Sequence, residues 1–220
     1  EKVCNKNRRY PCFGKDKNYA YDHLIISGGA VRGFAALGAL DYCYTEGYLD
    51  NINKYTGSSV GSMICYFLAI GIEPPEILLI LIQSSFFKDI NYNWLSLANG
   101  NGLMENAWGK ITNILKPYEN DNTRTFRDVF HNYGIKLCFV TYNFSLRRQE
   151  LLGYDTTPDL NCIDAIHMSS SLPLLFSKCM HNGNNYIDGG IINNFPLDLI
   201  MEGELGLGIN LLIRNDNNAR

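Results

Sequence analysis

Histidine is scarce in this chain: 220 residues hold four, at positions 23, 131, 167 and 181, and none follows His181. That argues against the α/β-hydrolase order of serine, acid and then histidine, which wants an imidazole late in the chain. His131 and His167 fall in helical patterns and His181 in the turn "MHNGNN", positions that suit packed or surface side chains better than a catalytic base. The seven cysteines (4, 12, 43, 65, 138, 162, 179) contain no C-x-x-C pair and do not cluster with the histidines. The usual zinc spacings are thereby excluded, and neither a metal nor a cofactor is expected. An odd, scattered set is expected to be reduced intracellular thiols, several of them small core residues.

Basic charge is short as well. Lys and Arg number 19 against 22 Asp and Glu, for a net charge of -3, and no basic stripe runs along any candidate helix. That argues against a general nucleic-acid binder, and no nucleic-acid partner is expected. Apolar runs such as "ILLILI" at 77–82 are far shorter than the roughly 18 residues of a membrane span. The expected location is cytoplasmic, with contact to membranes confined to the surface.

What is present is an ordinary globular composition, 46% apolar and 19% charged, in a length that suits one domain. Residues 1–20 form a basic N-terminal arm and 21–220 a single domain. Six bases within residues 1–17 stand against Glu1 and Asp16. A solvated arm and a contact for an anionic membrane surface are the two readings of it.

Along the chain, "HLIIS" predicts a buried strand, followed by a helix over residues 30–47 and a second strand at "NKYTG". Helices are expected from Ser59 to Ile70, after Pro74 and Pro75, and along the apolar stripe from Leu103 to Leu115. "IKLCFVTYN", "QELLGY", "NYID" and "LGINLLI" predict further strands, and "CIDAIHMSSS" a helix stopped at Pro173. Strands alternating with helices predict an α/β fold: a mainly parallel central sheet flanked by helices on both faces.

Two motifs carry chemistry. "SGGAVRG" at 27–33 is a glycine turn between strand and helix, which turns backbone N–H groups toward an anion. The anion is either a dinucleotide phosphate, with Gly28, Ala30 and Gly33 in a loose G-x-G-x-x-G spacing, or the transient oxyanion of an acyl transfer. "GSSVG" at 57–61 favours the second, because Gly57-x-Ser59-x-Gly61 at a strand–helix junction is the pattern of a nucleophile elbow. The dinucleotide reading also wants an acid at the end of the second strand, whereas Asp50 lies before it. For a base, the chain offers Asp188 at the end of "NNYID", followed by Gly189 and Gly190. A strand end puts that carboxylate at the ligand-binding edge of a sheet. A DGG turn in which Asp188 caps local N–H groups is the alternative.

In order along the chain, "SGGAVRG", "GSSVG", "MSSSLPLLF" (168–176) and "DGGIINNFP" (188–196) resemble the four motifs of the patatin-like phospholipase family. The resemblance implies a three-layer α/β architecture over residues 21–220 and a Ser-Asp dyad with Ser59 as nucleophile and Asp188 as base. It implies an oxyanion hole from Gly28, Gly29 and Ala30, and a phospholipid or other acyl-ester substrate. The chain departs from the family with Ala30 in place of a third glycine, which suits the loop if its φ is negative, and with Met168 where alanine is common. Arg32 is a candidate for holding a charged head group, or alternatively an ion pair anchoring the loop. The apolar stretch from Glu76 to Phe87 and "NYNWL" is either a lipid-contacting rim or a buried helix. Two rival functions remain open: a lipid-binding pseudoenzyme and a nucleotide-binding module.

Overall fold

A computed structural model of the chain describes residues 20–84, 102–104, 106–177 and 179–211. The first strand, β1 (His23–Ile26), is buried at every position. A 3-10 turn at Ala30–Arg32 leads into α1 (Gly33–Thr45), then β2 (Lys54–Ser58), α2 (Val60–Ala69) and α3 (Pro74–Gln83). Next come α4 (Ala107–Leu115), α5 (Phe126–Tyr133), β3 (Lys136–Asn143), β4 (Arg148–Gly153) and α6 (Cys162–Ser170). The short strands β5 (Cys179–His181), β6 (Asn184–Asp188) and β7 (Gly206–Ile209) complete the described residues.

The seven strands make one mixed sheet in the order β5-β6-β3-β2-β1-β7, with β4 on the remaining edge of β3. Its centre is parallel, β7-β1-β2-β3, and the pairs of β3 with β4 and β6 are antiparallel. The expected α/β fold with a parallel core is borne out. Leu24 and Ile26 of β1, Tyr55 of β2, and Leu137 and Phe139 of β3 join one hydrophobic core with α2, which is buried on almost every side. A helix apolar all round belongs in the middle of a fold.

Two helix starts differ from expectation for the same reason. The helix expected from residue 30 begins at Gly33 because Ala30 has φ 47, and that expected from Leu103 begins at Ala107 because Asn106 has φ 62. A left-handed residue cannot continue a right-handed helix. Leu103 and Met104 instead donate their N–H groups to the carbonyls of Leu174 and Leu175, at 2.7 and 2.8 Å. The helix α5 contains His131, as its helical pattern predicts, though no bounds were expected for it. It is set by a capping box between Thr125 and Asp128 and ended by Gly134 at φ 71.

Candidate active site

The site begins where β2 passes directly into α2. Ser59 is the N-cap of α2, with φ 53 and ψ -126, a conformation that costs a serine about 1–3 kcal/mol. The flanking glycines are required by space. A Cβ on Gly57 would lie 2.5 Å from the backbone of Gly61, and one on Gly61 would lie 2.4 Å from the carbonyl oxygen of Ile26. The turn therefore packs backbone on backbone and lifts the Ser59 side chain over the carboxyl end of the sheet, at the N-terminus of a ten-residue helix.

Strand pairing explains which acid meets it. β2 pairs with β3 as far as Ser58 opposite Val140, and β6 pairs with β3 from Asp188 opposite Thr141. Because β4 occupies the other edge over residues 138–143, β2 and β6 lie end to end on one edge of β3. Their carboxyl ends abut, so residues 129 apart in sequence come together, and Ser59 Oγ donates to Asp188 Oδ2 at 2.6 Å. Asp188 is 2% exposed. Burial pushes its carboxyl above the ordinary range, opposed by hydrogen bonds from the Ser59 hydroxyl and the Gly190 N–H.

The C-terminal end of α6 braces both partners. Ser169 Oγ accepts the Ser59 N–H at 3.1 Å and donates to the Val140 carbonyl at 2.7 Å, while the Ser171 carbonyl accepts the Asp188 N–H at 2.9 Å. Ser62 Oγ lies 2.8 Å from Ser169 Oγ and 2.6 Å from the Ser59 carbonyl. Thr141 Oγ1 reaches the Met168 carbonyl at 2.8 Å, and the Met168 side chain is buried in the core, so the departure at this position is absorbed by packing. The sequence marked "MSSS" as a motif without singling out Ser169. Its role depends on where the helix ends in space, for which one sequence carries no signal.

The glycine loop departs from expectation at three points. Gly28 donates its N–H to the Asn194 carbonyl at 3.1 Å, so this amide is occupied and is corrected from an oxyanion donor to an anchor. Among the described residues no hydrogen bond occupies the amides of Gly29 and Ala30. Ala30 has φ 47, so the negative φ on which its fit to the loop was conditioned is not met. It takes the left-handed conformation that suits a glycine, at about 1–2 kcal/mol, and keeps its N–H available. Arg32 donates to the carbonyls of Leu211 at 2.8 Å and Gly29 at 3.3 Å, so of its two readings the loop anchor is the nearer, made among the described residues through backbone oxygens and not an ion pair.

A cavity of about 450 Å³ opens at Ser59 and is walled by apolar side chains, among them Val31, Met63, Leu81, Ile111 and Phe176. Leu81 and Ile77 bury one side of α3, and Leu79 and Ile82 are exposed on it, so the apolar stretch serves core, cavity and surface together. Phe86 and Phe87 lie outside the described residues. His167 stacks flat on Trp108 at 3.8 Å, and burial pushes its pKa down to about 4. His131 and His181 likewise make no contact with Ser59 or Asp188. Among the described residues no group of three or more His, Cys, Asp or Glu could hold a metal ion.

The chain is 33% identical over 187 residues to a probable lipid hydrolase of Invertebrate iridescent virus 6, covering 83% of this chain and 64% of that protein. It is 31% identical over 201 residues to an uncharacterized protein of Acanthamoeba polyphaga mimivirus, covering 89% of this chain and 67% of the relative. The chain thus spans about two thirds of the length of these relatives. VipD from Legionella pneumophila shares the fold with a TM-score of 0.58 at 18% identity, over 86% of this chain and 49% of VipD. The sequence model of the patatin-like phospholipases matches residues 24–201, a span that contains Ser59, Asp188 and the glycine loop, and the chain belongs to that family.

Proposed function

We propose that the protein is a lipid acyl hydrolase that cleaves fatty-acyl esters of phospholipid or a related lipid through Ser59 and Asp188. The observation that carries this reading is the 2.6 Å hydrogen bond from Ser59 Oγ to Asp188 Oδ2, made by a strained elbow at the mouth of an apolar cavity. Asp188 takes the hydroxyl proton as Ser59 Oγ bonds to the ester carbonyl carbon. The carbonyl oxygen becomes an oxyanion, stabilised by the amides of Gly29 and Ala30 and by the N-terminus of α2. As the intermediate collapses, the carbon–oxygen bond to the leaving alcohol breaks and Asp188 returns the proton to that alcohol. Water then attacks the acyl-enzyme, loses its proton to Asp188 and releases the fatty acid, and the proton goes back to Ser59.

A carboxylate of ordinary basicity takes little of a serine proton, and the burial that raises the Asp188 pKa increases its strength as a base. The acyl chain fits the cavity, whose lining offers it hydrocarbon over most of its length. Val31, which lines that cavity, is also exposed, as is Leu174 beside the lining residues Leu172 and Leu175. These aliphatic side chains at the mouth support transient contact with a lipid surface.

Hydrolysis of phospholipid vesicles by the wild type, Ser59→Ala and Asp188→Asn, with products identified by mass spectrometry, tests the reading. Fatty acid released by the wild type alone is the expected result, and equal release by either variant removes the dyad. A fluorophosphonate probe separates the enzyme from a lipid-binding pseudoenzyme, since only an activated Ser59 is labelled.

A further inference from the structure

We propose that Asn194 is a positioning residue for this reaction: it holds the Gly28–Gly29 peptide so that the Gly29 amide faces the developing oxyanion. The inference rests on the acyl-hydrolase reading above and names a residue that neither the elbow nor the dyad contains.

Asn194 grips Gly28 twice. Its backbone carbonyl accepts the Gly28 N–H at 3.1 Å, and its side-chain Nδ2 donates to the Gly28 carbonyl at 3.2 Å. A carbonyl can only accept, which fixes the amide nitrogen on that side. In a trans peptide the C=O of one residue and the N–H of the next point in opposite directions. Holding the Gly28 oxygen on Asn194 therefore turns the Gly29 N–H away from Asn194, and no acceptor among the described residues takes it.

The grip is needed because this peptide lies between two glycines. Glycine populates both signs of φ with similar ease, so the Gly28–Gly29 peptide has little intrinsic resistance to flipping. A flipped peptide would present a carbonyl where the oxyanion needs a donor. The Asn194 side chain also wedges the loop against the base: a Cβ on Gly28 would sit 2.4 Å from Asn194 Oδ1, and a Cβ on Gly190 would sit 2.7 Å from it. Gly190 is the residue whose N–H holds Asp188 Oδ1 at 2.7 Å. One side chain thus sets the spacing between the oxyanion donors and the base.

Asn194→Asp tests this, because it keeps the shape and removes the Nδ2 donor. The tether from the Gly28 N–H to the backbone carbonyl of residue 194 survives in any variant, so the fold should be retained. The expected result is a kcat about 100-fold lower with KM unchanged, the loss typical of one oxyanion donor, and fluorophosphonate labelling of Ser59 slowed in proportion. Asn194→Ala, which truncates the side chain at Cβ, is the second variant and should lose kcat in the same way. A folded variant with unchanged kcat, or a loss confined to KM, overturns the inference, as does unfolding of both variants, which would make Asn194 structural alone. A wild type that neither hydrolyses acyl esters nor takes the label overturns the functional reading and this inference with it. An active wild type beside unaffected variants overturns this inference only.

Discussion

Two polar clusters sit at opposite ends of the same parallel strands. At the amino end, buried His23 contacts Thr56 Oγ1 through Nε2 at 2.8 Å and Glu204 Oε2 through Nδ1 at 3.1 Å, and Lys54 reaches Glu204 at 3.3 Å. At the carboxyl end, Ser59 and Asp188 share one hydrogen bond, braced by Ser169. By residue type alone, the hydroxyl, imidazole and carboxylate of the first cluster look more like a hydrolytic triad. Yet none of its residues has a left-handed backbone, and none lines the cavity beside Ser59. Ser59 has both attributes. A strained backbone and an adjacent cavity mark the carboxyl end as the candidate site, whereas the amino-end cluster holds strands together.

The comparison breaks most sharply in a pair of substitutions. Asp188→Asn should lower ester hydrolysis by at least about 1,000-fold, as does loss of a proton-accepting partner in related serine chemistry. Its melting temperature should hold or rise, because a desolvated carboxylate gives way to a neutral amide. His23→Gln should do the opposite, keeping kcat while losing about 1–3 kcal/mol of stability from the buried network. A large loss of kcat in His23→Gln with the fold intact would assign the amino end a part in the chemistry.

Acid should act on both ends with different readouts. Asp188 works as a base only when ionised, so activity should fall with decreasing pH along a limb that lies above the range of an ordinary carboxylate. Stability should fall over a window set by His167. The folded pKa of His167 is about 4 against 6.5 unfolded, so the unfolded chain takes up its proton first. Its contribution is complete above pH 6.5 and is lost as pH falls toward 4, by at most about 3 kcal/mol. His23, held low chiefly by burial, adds in the same direction. His167→Phe keeps a flat ring against Trp108 and removes the buried Nε2 that has no partner. Melting curves across pH should show a weaker acid dependence in this variant, and an unchanged dependence would reassign the effect.

Ser169→Ala leaves the Ser59 N–H without its acceptor, at about 1–3 kcal/mol, and should cost roughly tenfold in kcat as the elbow loosens. Steady-state kinetics on a soluble ester would reveal this, and full activity would show that the helix end braces the fold without tuning the nucleophile. The smallest effect is expected of Ala30→Gly, which relieves a left-handed alanine worth about 1 kcal/mol while loosening the unfolded chain. Chemical denaturation should detect a change within that range, with kcat retained.

Much of the site was legible because glycine spacing records steric demand. Gly57 and Gly61 are required by backbone contacts below 2.6 Å, so the elbow had to appear in the sequence. Asp188 was legible as a strand-end acid, and the four motifs fell in order on the boundaries of strands and helices. What escaped is what depends on which segments abut. Asn194 stood inside the quoted "DGGIINNFP" without a role, and the Gly28 amide was assigned to the oxyanion when it is used to anchor the loop. The φ of Ala30 stayed open in the sequence, and the loop sets it positive. The capping box of α5, Thr125 with Asp128, was present in the sequence, but an eight-residue helix with few apolar positions made a weak pattern. Three-residue β5 is too short to carry an alternation at all.

The end-to-end meeting of β2 and β6 on one edge of β3 has a consequence for the timing of activity. Ser59 lies in the first third of the chain, but Asp188 comes 129 residues later and meets it only when β6 has paired with β3 in register. A slip of one residue along that edge would turn the Asp188 side chain to the other face of the sheet. On the proposed mechanism, a chain in which that pairing has not formed carries a serine with no base to activate it. The proposed activity would therefore appear only once the strand pairing that completes the sheet has formed.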